Sequence, residues 1–194
     1  SRLLRCALFF SPRHQVILWL ERNIFKEGNY RRIIVNSRLS RQHVIHYYGV
    51  PETRVRLVYN GVDHALFSPD PAGSFRAAAR ERLALAPDDR VLAFVANDFK
   101  RKGLACALAV LSRLRSAGYA ARLVIAGRGS KQQVDRLAST LKIGMEAIVF
   151  AGHLPEPRNI YHAADLLILP TLYDPFANVC LEAMACGVPV LTTR

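Results

Sequence analysis

Two carboxylates bracket one turn late in the chain. Asp174 and Glu182 stand eight positions apart in YDPFANVCLEAMACGVPV, with Phe176-Ala177-Asn178 between them and Gly187 and Pro189 closing the small-residue run behind. They fall where an apolar strand, DLLILP, stops and a helix, NVCLEAMACG, begins. Asn178 suits the N-cap of that helix. The first-turn amides of a helix lack internal partners and carry partial positive charge, so a phosphate could sit there. Glu182 lies about one turn further in, and Asp174 lies in the approach loop. Two acids at a helix start also complement the macrodipole by roughly 0.3–1 kcal/mol each, an explanation that needs no ligand.

A second group answers the first in charge. NDFKRKG puts Lys100, Arg101, Lys102 and Gly103 at the opening of another helix. Cations there oppose the macrodipole, and a bound anion would offset that cost. Arg grips phosphate with a planar fork, Lys acts as a point charge, and Gly103 allows close backbone approach. An exposed basic loop accounts for the same residues equally well. AGRGS ends a further strand, but without the third glycine of a dinucleotide fingerprint. GHLPEP follows another, with His153 in a loop that sits where a base could stack or hydrogen-bond. A lone His is more often plain loop surface, so the loop's backbone is the stronger candidate. Carboxylates accept sugar hydroxyls, while amides and cations accept phosphate. The two groups together describe a site for a nucleotide sugar.

What must position them is a run of alternating elements. VLAFVA, ARLVIAG, AIVFAG, DLLILP and VPVLTT read as short buried strands. Between them LACALAVLSRLRSAG, KQQVDRLASTLKIG, EPRNIYHAA and NVCLEAMACG read as helices. Continuous apolar strands alternating with helices predict an α/β fold with a parallel sheet covered on both faces. Ligands of such sheets bind beyond the carboxyl ends of the strands. Upstream, a strand at Ile33 to Val35, an N-cap at Ser37 and a helix ending near Gly49 belong to a separate element group. RVRLVYNGVD adds a strand and an Asn60-Gly61 turn. The Pro-, Asp- and Gly-rich HALFSPDPAGS predicts a boundary. The expected domains are residues 1–66, a linker at 67–74, and residues 75–194.

Composition narrows the partners. Of 194 residues, 51% are hydrophobic and 22% charged, which suits one or two soluble globular domains with real cores. The net charge is +12, and the segment from Ser1 to Arg56 holds eleven Lys/Arg against three acids, so +8 of it. That bias suits an anionic neighbour such as a phospholipid surface, and a solvated basic face gives the same count. No aromatic platform accompanies the basic residues, so nucleic acid is not expected as a partner. No apolar run is long enough to span a bilayer. Leu3 to Phe10 has a signal-like core but carries Arg5 and no small-residue cleavage site. Cys6, Cys106, Cys180 and Cys186 form no CxxC pair and no zinc spacing with His, so buried reduced thiols in a cytoplasmic protein are expected.

YDPFANVCLEAMACGVPVLTT resembles the E-x7-E segment of retaining glycosyltransferases of family 4, which have the GT-B fold of two facing Rossmann-like domains. NSRLSRQHVIHYYGVPETRVRLVYNGVD resembles the end of their first, acceptor domain, and FVANDFKRKG and LVIAGRGS the opening of their donor domain. NDFKRKG, ADLLILPTLYDPFANVCLEA and PVLTT are most similar to the lipopolysaccharide core glucosyltransferase I subgroup. The resemblance implies that Arg101 and Lys102 hold the donor diphosphate, and that the amides at Ala177, Asn178 and Val179 hold phosphate. It implies that Glu182 takes the ribose hydroxyls, Asp174 faces the transferred sugar, with Phe176 beside it, and His153 and Leu154 contact the base. It further implies UDP-glucose as donor, no metal or other cofactor, a glycan or lipid-linked acceptor, and a cytoplasmic protein in peripheral contact with an anionic membrane. Asn60-Gly61 would lie near the interdomain cleft. Asp174 stands where the family has Glu, and Ala177 where it commonly has Gly. The chain reads as the tail of an acceptor domain followed by a donor domain cut short, so nucleotide binding without sugar transfer is expected of it. A nucleotide-sugar epimerase of the same fold and a non-catalytic nucleotide-binding relative are the alternatives.

Overall fold

The computed structural model describes residues 11–154 and 157–193. The Leu3 to Phe10 stretch and Cys6 lie outside them. The chain divides into two compact units after Asn60, six residues before the boundary expected from composition. The reason is apolar: Val62, Leu66 and Phe67 pack into the second unit's core, where Phe67 is 7% exposed. A burying Phe in a Pro-rich stretch ties the expected linker to the body that follows it.

The first unit holds α1 (Pro12–Ile24), β1 (Ile33–Val35), α2 (Arg38–Tyr48) and β2 (Val55–Leu57). β1 and β2 pair in parallel, Ile33 with Val55 through Val35 with Leu57. Ser37 caps α2 by accepting the Ser40 N–H at 3.0 Å, and Gly49 ends the helix in the left-handed region, as its sequence predicts. Val35, Val44, Val50 and Val55 form the core, with the Phe25 and Tyr48 rings packed beside them.

The second unit is a five-stranded parallel sheet in the order β5-β4-β3-β6-β7. Its strands are β3 (Arg90–Val95), β4 (Ala121–Ala126), β5 (Ile148–Gly152), β6 (Leu166–Leu169) and β7 (Val190–Thr192). The helices are α3 (Ser74–Arg82), α4 (Leu104–Ser116), α5 (Lys131–Thr140), α6 (Arg158–Ala163) and α7 (Asn178–Ala185). Along β3, Leu92 and Phe94 join one core cluster with Leu104, Leu108 and Val134, while Val91, Ala93 and Val95 join another with Ile160, Tyr161 and Ala183. Alternate side chains are buried on both faces, which is why the strands read as unbroken apolar runs. Of the described cysteines, Cys186 is buried and Cys180 half-buried, but Cys106 is exposed on α4, against the expectation of buried thiols.

An ionic staple anchors α6 at the amino ends of the strands. Arg76 donates to the carbonyls of His162 and Ala164, and Arg80 to that of Ala163. Both guanidiniums also meet Asp165, which accepts the Val91 N–H at 2.7 Å. Burial pushes the Asp165 carboxyl up, but the Val91 N–H and the two guanidiniums outweigh it and hold it below the ordinary carboxylate range. A carboxyl depressed in the folded state stabilises fully above its unfolded value, about 3.9, and loses that contribution as pH falls through the folded value. Asp165→Ala is therefore expected to cost about 2–3 kcal/mol at neutral pH, by leaving the nearly buried Arg80 without its anion. Urea melts at pH 7 and pH 3 should show the gap to wild type narrowing at the lower pH. An equal gap at both would remove the charge of Asp165 as its source.

Candidate functional site

The strand order reverses between β3 and β6, and there the sheet opens. β3 pairs with β6 only at Leu92–Leu166 and Ala93–Leu167, whereas its pairing with β4 continues through Val95. Two loops fill the opening, Ala96 to Gly103 after β3 and Pro170 to Ala177 after β6. They are knitted by the Leu172 N–H, which donates to the Arg101 carbonyl at 2.9 Å. Their packing is tight enough to require glycine. Gly103 has φ +83°, and a Cβ there would stand 2.0 Å from the Pro170 carbonyl oxygen. Gly127, at the end of β4 with φ +137°, would place a Cβ 1.6 Å from the Ala96 carbonyl oxygen. The close approach expected of Gly103 is thus made to the neighbouring loop.

Between the loops lies a cavity of about 300 Å3, lined by Asn97, Asp98, Arg101, Lys102, Asp174, Phe176, Ala177, Asn178 and Val179 among others. At its floor the Lys102 ammonium pairs with Asp174 Oδ2, with side chains only 15% and 10% exposed. Asp174 Oδ1 accepts the Phe176 N–H at 3.3 Å. Arg101, by contrast, is exposed and braces the loop: Nε meets Asp98 at 3.2 Å and Nη1 meets the Tyr173 carbonyl at 3.2 Å. The Arg101 N–H and its guanidinium hold the Asp98 carboxyl below the ordinary range.

α7 opens onto this cavity, and its N-cap is Ala177, with Asn178 the first helical residue. The cap expected at Asn178 is shifted by one, onto an alanine, which supplies no side-chain cap. Ala177 sits at φ −85°, ψ 99°, so its methyl group is accommodated without strain where a glycine is common. Asp174, Phe176 and Ala177 also border an adjoining space of about 260 Å3, with Cys180, Thr171 and Thr193. Burial pushes the Cys180 thiol up to about 11, with Asp174 adding to it, so the group stays protonated and is no nucleophile.

Glu182 stands in the second turn of α7, half-buried, and accepts the Tyr161 hydroxyl at 2.6 Å. His153 is exposed and lines none of these spaces. Leu154 lines a larger cavity of about 710 Å3 under α3, β5 and α6, which holds neither Lys102 nor Asp174 and lies away from the strand-order reversal. No helix is long and apolar enough to cross a membrane among the described residues, nor do three His, Cys, Asp or Glu side chains gather there as a metal site.

Residues 75–194, the whole sheet and its two crevice loops, match the family model described as glycosyl transferases group 1. The chain belongs to that family. Residues 4–66 of this glycosyl transferase chain match the model of glycosyltransferase family 4. It is 30% identical to a D-inositol 3-phosphate glycosyltransferase of Segniliparus rotundus over 84% of its own length and 37% of that protein's. It is 32% identical to a probable transglycosylase of Burkholderia thailandensis, covering 94% of this chain and 45% of that one. The chain spans about two-fifths of the length of the curated relatives it matches. In fold it is similar to Anabaena HepE, solved with UDP and glucose, at a TM-score of 0.76, 22% identity, and coverage of 94% and 50%. WaaG, described as a glycosyltransferase involved in lipopolysaccharide biosynthesis, gives a TM-score of 0.79 at 22% identity, covering 94% and 49%. These are GT-B glycosyltransferases, and the α/β fold with parallel sheets is theirs.

Of the residues singled out in the sequence of this glycosyl transferase chain, the fold gathers Arg101, Lys102, Asp174, Phe176, Ala177, Asn178 and Val179 around one cavity. Gly103 supports it, Glu182 faces Tyr161, and His153 and Leu154 stand apart. Sequence reasoning passed over Asp98 and Tyr161. An Asp three residues before a basic turn is a local signal for the first. Tyr161 gives none, since it reads as one more core aromatic on a short helix.

Proposed function

We propose that this chain provides the donor half of a retaining hexosyltransferase, which moves a hexose from UDP-glucose to a glycan or lipopolysaccharide-core acceptor. The observation that carries the reading is the Lys102–Asp174 pair, set between two loops at the strand-order reversal and beside the start of α7. A cation and a helix N-terminus suit a diphosphate, and a carboxylate suits sugar hydroxyls. HepE, which shares the fold, was solved with UDP and glucose, and this supports a nucleotide-sugar donor. The relatives' inositol phosphate acceptors keep the acceptor class open to phosphorylated polyols.

In the proposed reaction the acceptor hydroxyl attacks the anomeric carbon from the face that the nucleotide leaves. The carbon–oxygen bond to the β-phosphate breaks, and the departing phosphate oxygen takes the acceptor's proton. Lys102 and the first-turn amides of α7 stabilise the charge that grows on the diphosphate, each such donor lowering the barrier by about 3–4 kcal/mol. Asp174 orients the sugar, Glu182 takes the ribose hydroxyls, and the reaction uses no metal. The basic first segment fits a protein working at the inner face of an anionic membrane.

Calorimetric titration of UDP, GDP and ADP into this chain tests the reading. Selective binding of UDP is the expected result. Equal, weak response to all three by a folded chain would sink it.

A further inference from the structure

Glu182 is a long carboxylate side chain placed half in and half out of the core, and such a group ordinarily samples several rotamers. Here one oxygen is committed. Oε2 accepts the Tyr161 hydroxyl at 2.6 Å. Oε1 has no hydrogen-bond partner among the described residues. The phenol that holds it is immobile for identifiable reasons. Tyr161 has no exposed surface and packs among Phe67, Ala163, Ala183 and Cys186. Its helix, α6, is fixed from behind by Arg76 and Arg80, which bond the carbonyls of His162, Ala163 and Ala164. A Phe would fill the same space, so the hydroxyl adds direction more than packing. Burial and the Glu182 charge raise the phenol well above its ordinary range, which keeps it a donor.

We propose that Tyr161 is a positioning residue: its buried hydroxyl holds Glu182 in the rotamer that leaves Oε1 open to the ribose hydroxyls of the donor nucleotide. This rests on the assignment of Glu182 to the ribose under the proposed function. Tyr161 touches no substrate atom. It acts by removing, before the nucleotide arrives, the freedom that Glu182 would otherwise lose on binding. Charged hydrogen bonds to a desolvated carboxylate are also the ones whose geometry matters most.

The test compares the nucleoside diphosphate that the wild-type chain binds most tightly, among UDP, GDP and ADP, with its 2′,3′-dideoxy counterpart, by calorimetry. In Tyr161→Phe the ribonucleotide is expected to bind about tenfold more weakly, while the dideoxy form binds as it does to wild type, so the preference for ribose collapses. Glu182→Ala must collapse it too. Glu182→Asp, which keeps Tyr161 and the charge but falls short of the hydroxyl, is a second variant with the same expected loss. A folded Tyr161→Phe that keeps the full ribose preference, or one that weakens both ligands equally, overturns the inference. If Glu182→Ala leaves the preference intact, or no diphosphate binds, the ribose role of Glu182 falls first and the inference falls with it.

Discussion

Lys102→Ala is expected to weaken diphosphate binding by at least about 100-fold, the largest effect of any single side chain in the crevice. Two terms act in the same direction. The variant loses the ammonium that would meet the phosphates. It also exposes the ligand to Asp174, a carboxylate only 10% exposed whose remaining partner among the described residues is the Phe176 N–H. Like charges a few ångströms apart in a partly dry site repel by kilocalories. The same orphaned carboxylate should lower folding stability by about 2–3 kcal/mol. The two consequences separate in a double variant. Adding Asp174→Asn to Lys102→Ala removes the unpaired charge, so melting should return toward wild type while nucleotide binding recovers only in part. Unchanged UDP affinity in Lys102→Ala would place the phosphates elsewhere. Arg101→Ala should cost less affinity, because its guanidinium is already engaged by Asp98 and the Tyr173 carbonyl.

Gly103→Ala is the second large effect, and it acts through folding. The new methyl group would have to displace the Pro170 carbonyl from 2.0 Å, and its residue would sit at φ +83°. The backbone term alone costs about 1–2 kcal/mol. The carbonyl is backbone, of the residue that follows β6, so the clash cannot be relieved by a side-chain rotation. We expect a loss above about 3 kcal/mol, seen as a melting point lower by about 10 °C or more. A variant melting within two or three degrees of wild type would mean that the loops separate easily, and that the crevice is not preset.

How far the sequence foretells this arrangement depends on where each signal is stored. The five strands of the second unit were legible because both their faces are buried, as β3 illustrates with Leu92 and Phe94 on one side and Val91 and Ala93 on the other. Ser37 and Gly49 announced the ends of α2, since caps are local chemistry. α3 was silent. Its nine residues SFRAAARER hold no apolar stripe, and its purpose is to carry Arg76 and Arg80 to α6, a tertiary reason. α1 was likewise passed over, having no buried residue to impose a period. At the site, Asp174 and Glu182 drew the eye to the turn between β6 and α7, which the fold sets beside the crevice. Nothing in the spacing of Lys102 and Asp174, 72 residues apart, announced that they touch. That followed only from strand order. The bond from Arg101 to the Tyr173 carbonyl and the one from Tyr161 to Glu182 were invisible for the same reason, being contacts between elements.

The β3–β6 seam also sets a timetable. Its pairing of Leu92 with Leu166 spans far more chain than that of Leu92 with Leu123, and closing a longer loop costs more entropy. Chains emerge from the ribosome amino end first. Lys102 and its basic neighbours therefore leave the exit tunnel well before Asp174 exists to face them, and for that interval the nascent domain carries one wall of a crevice without the other. The proposed nucleotide can settle only after the last two of the five strands have docked. Once seated it would bind the finished form alone, and so hold closed the joint that forms last.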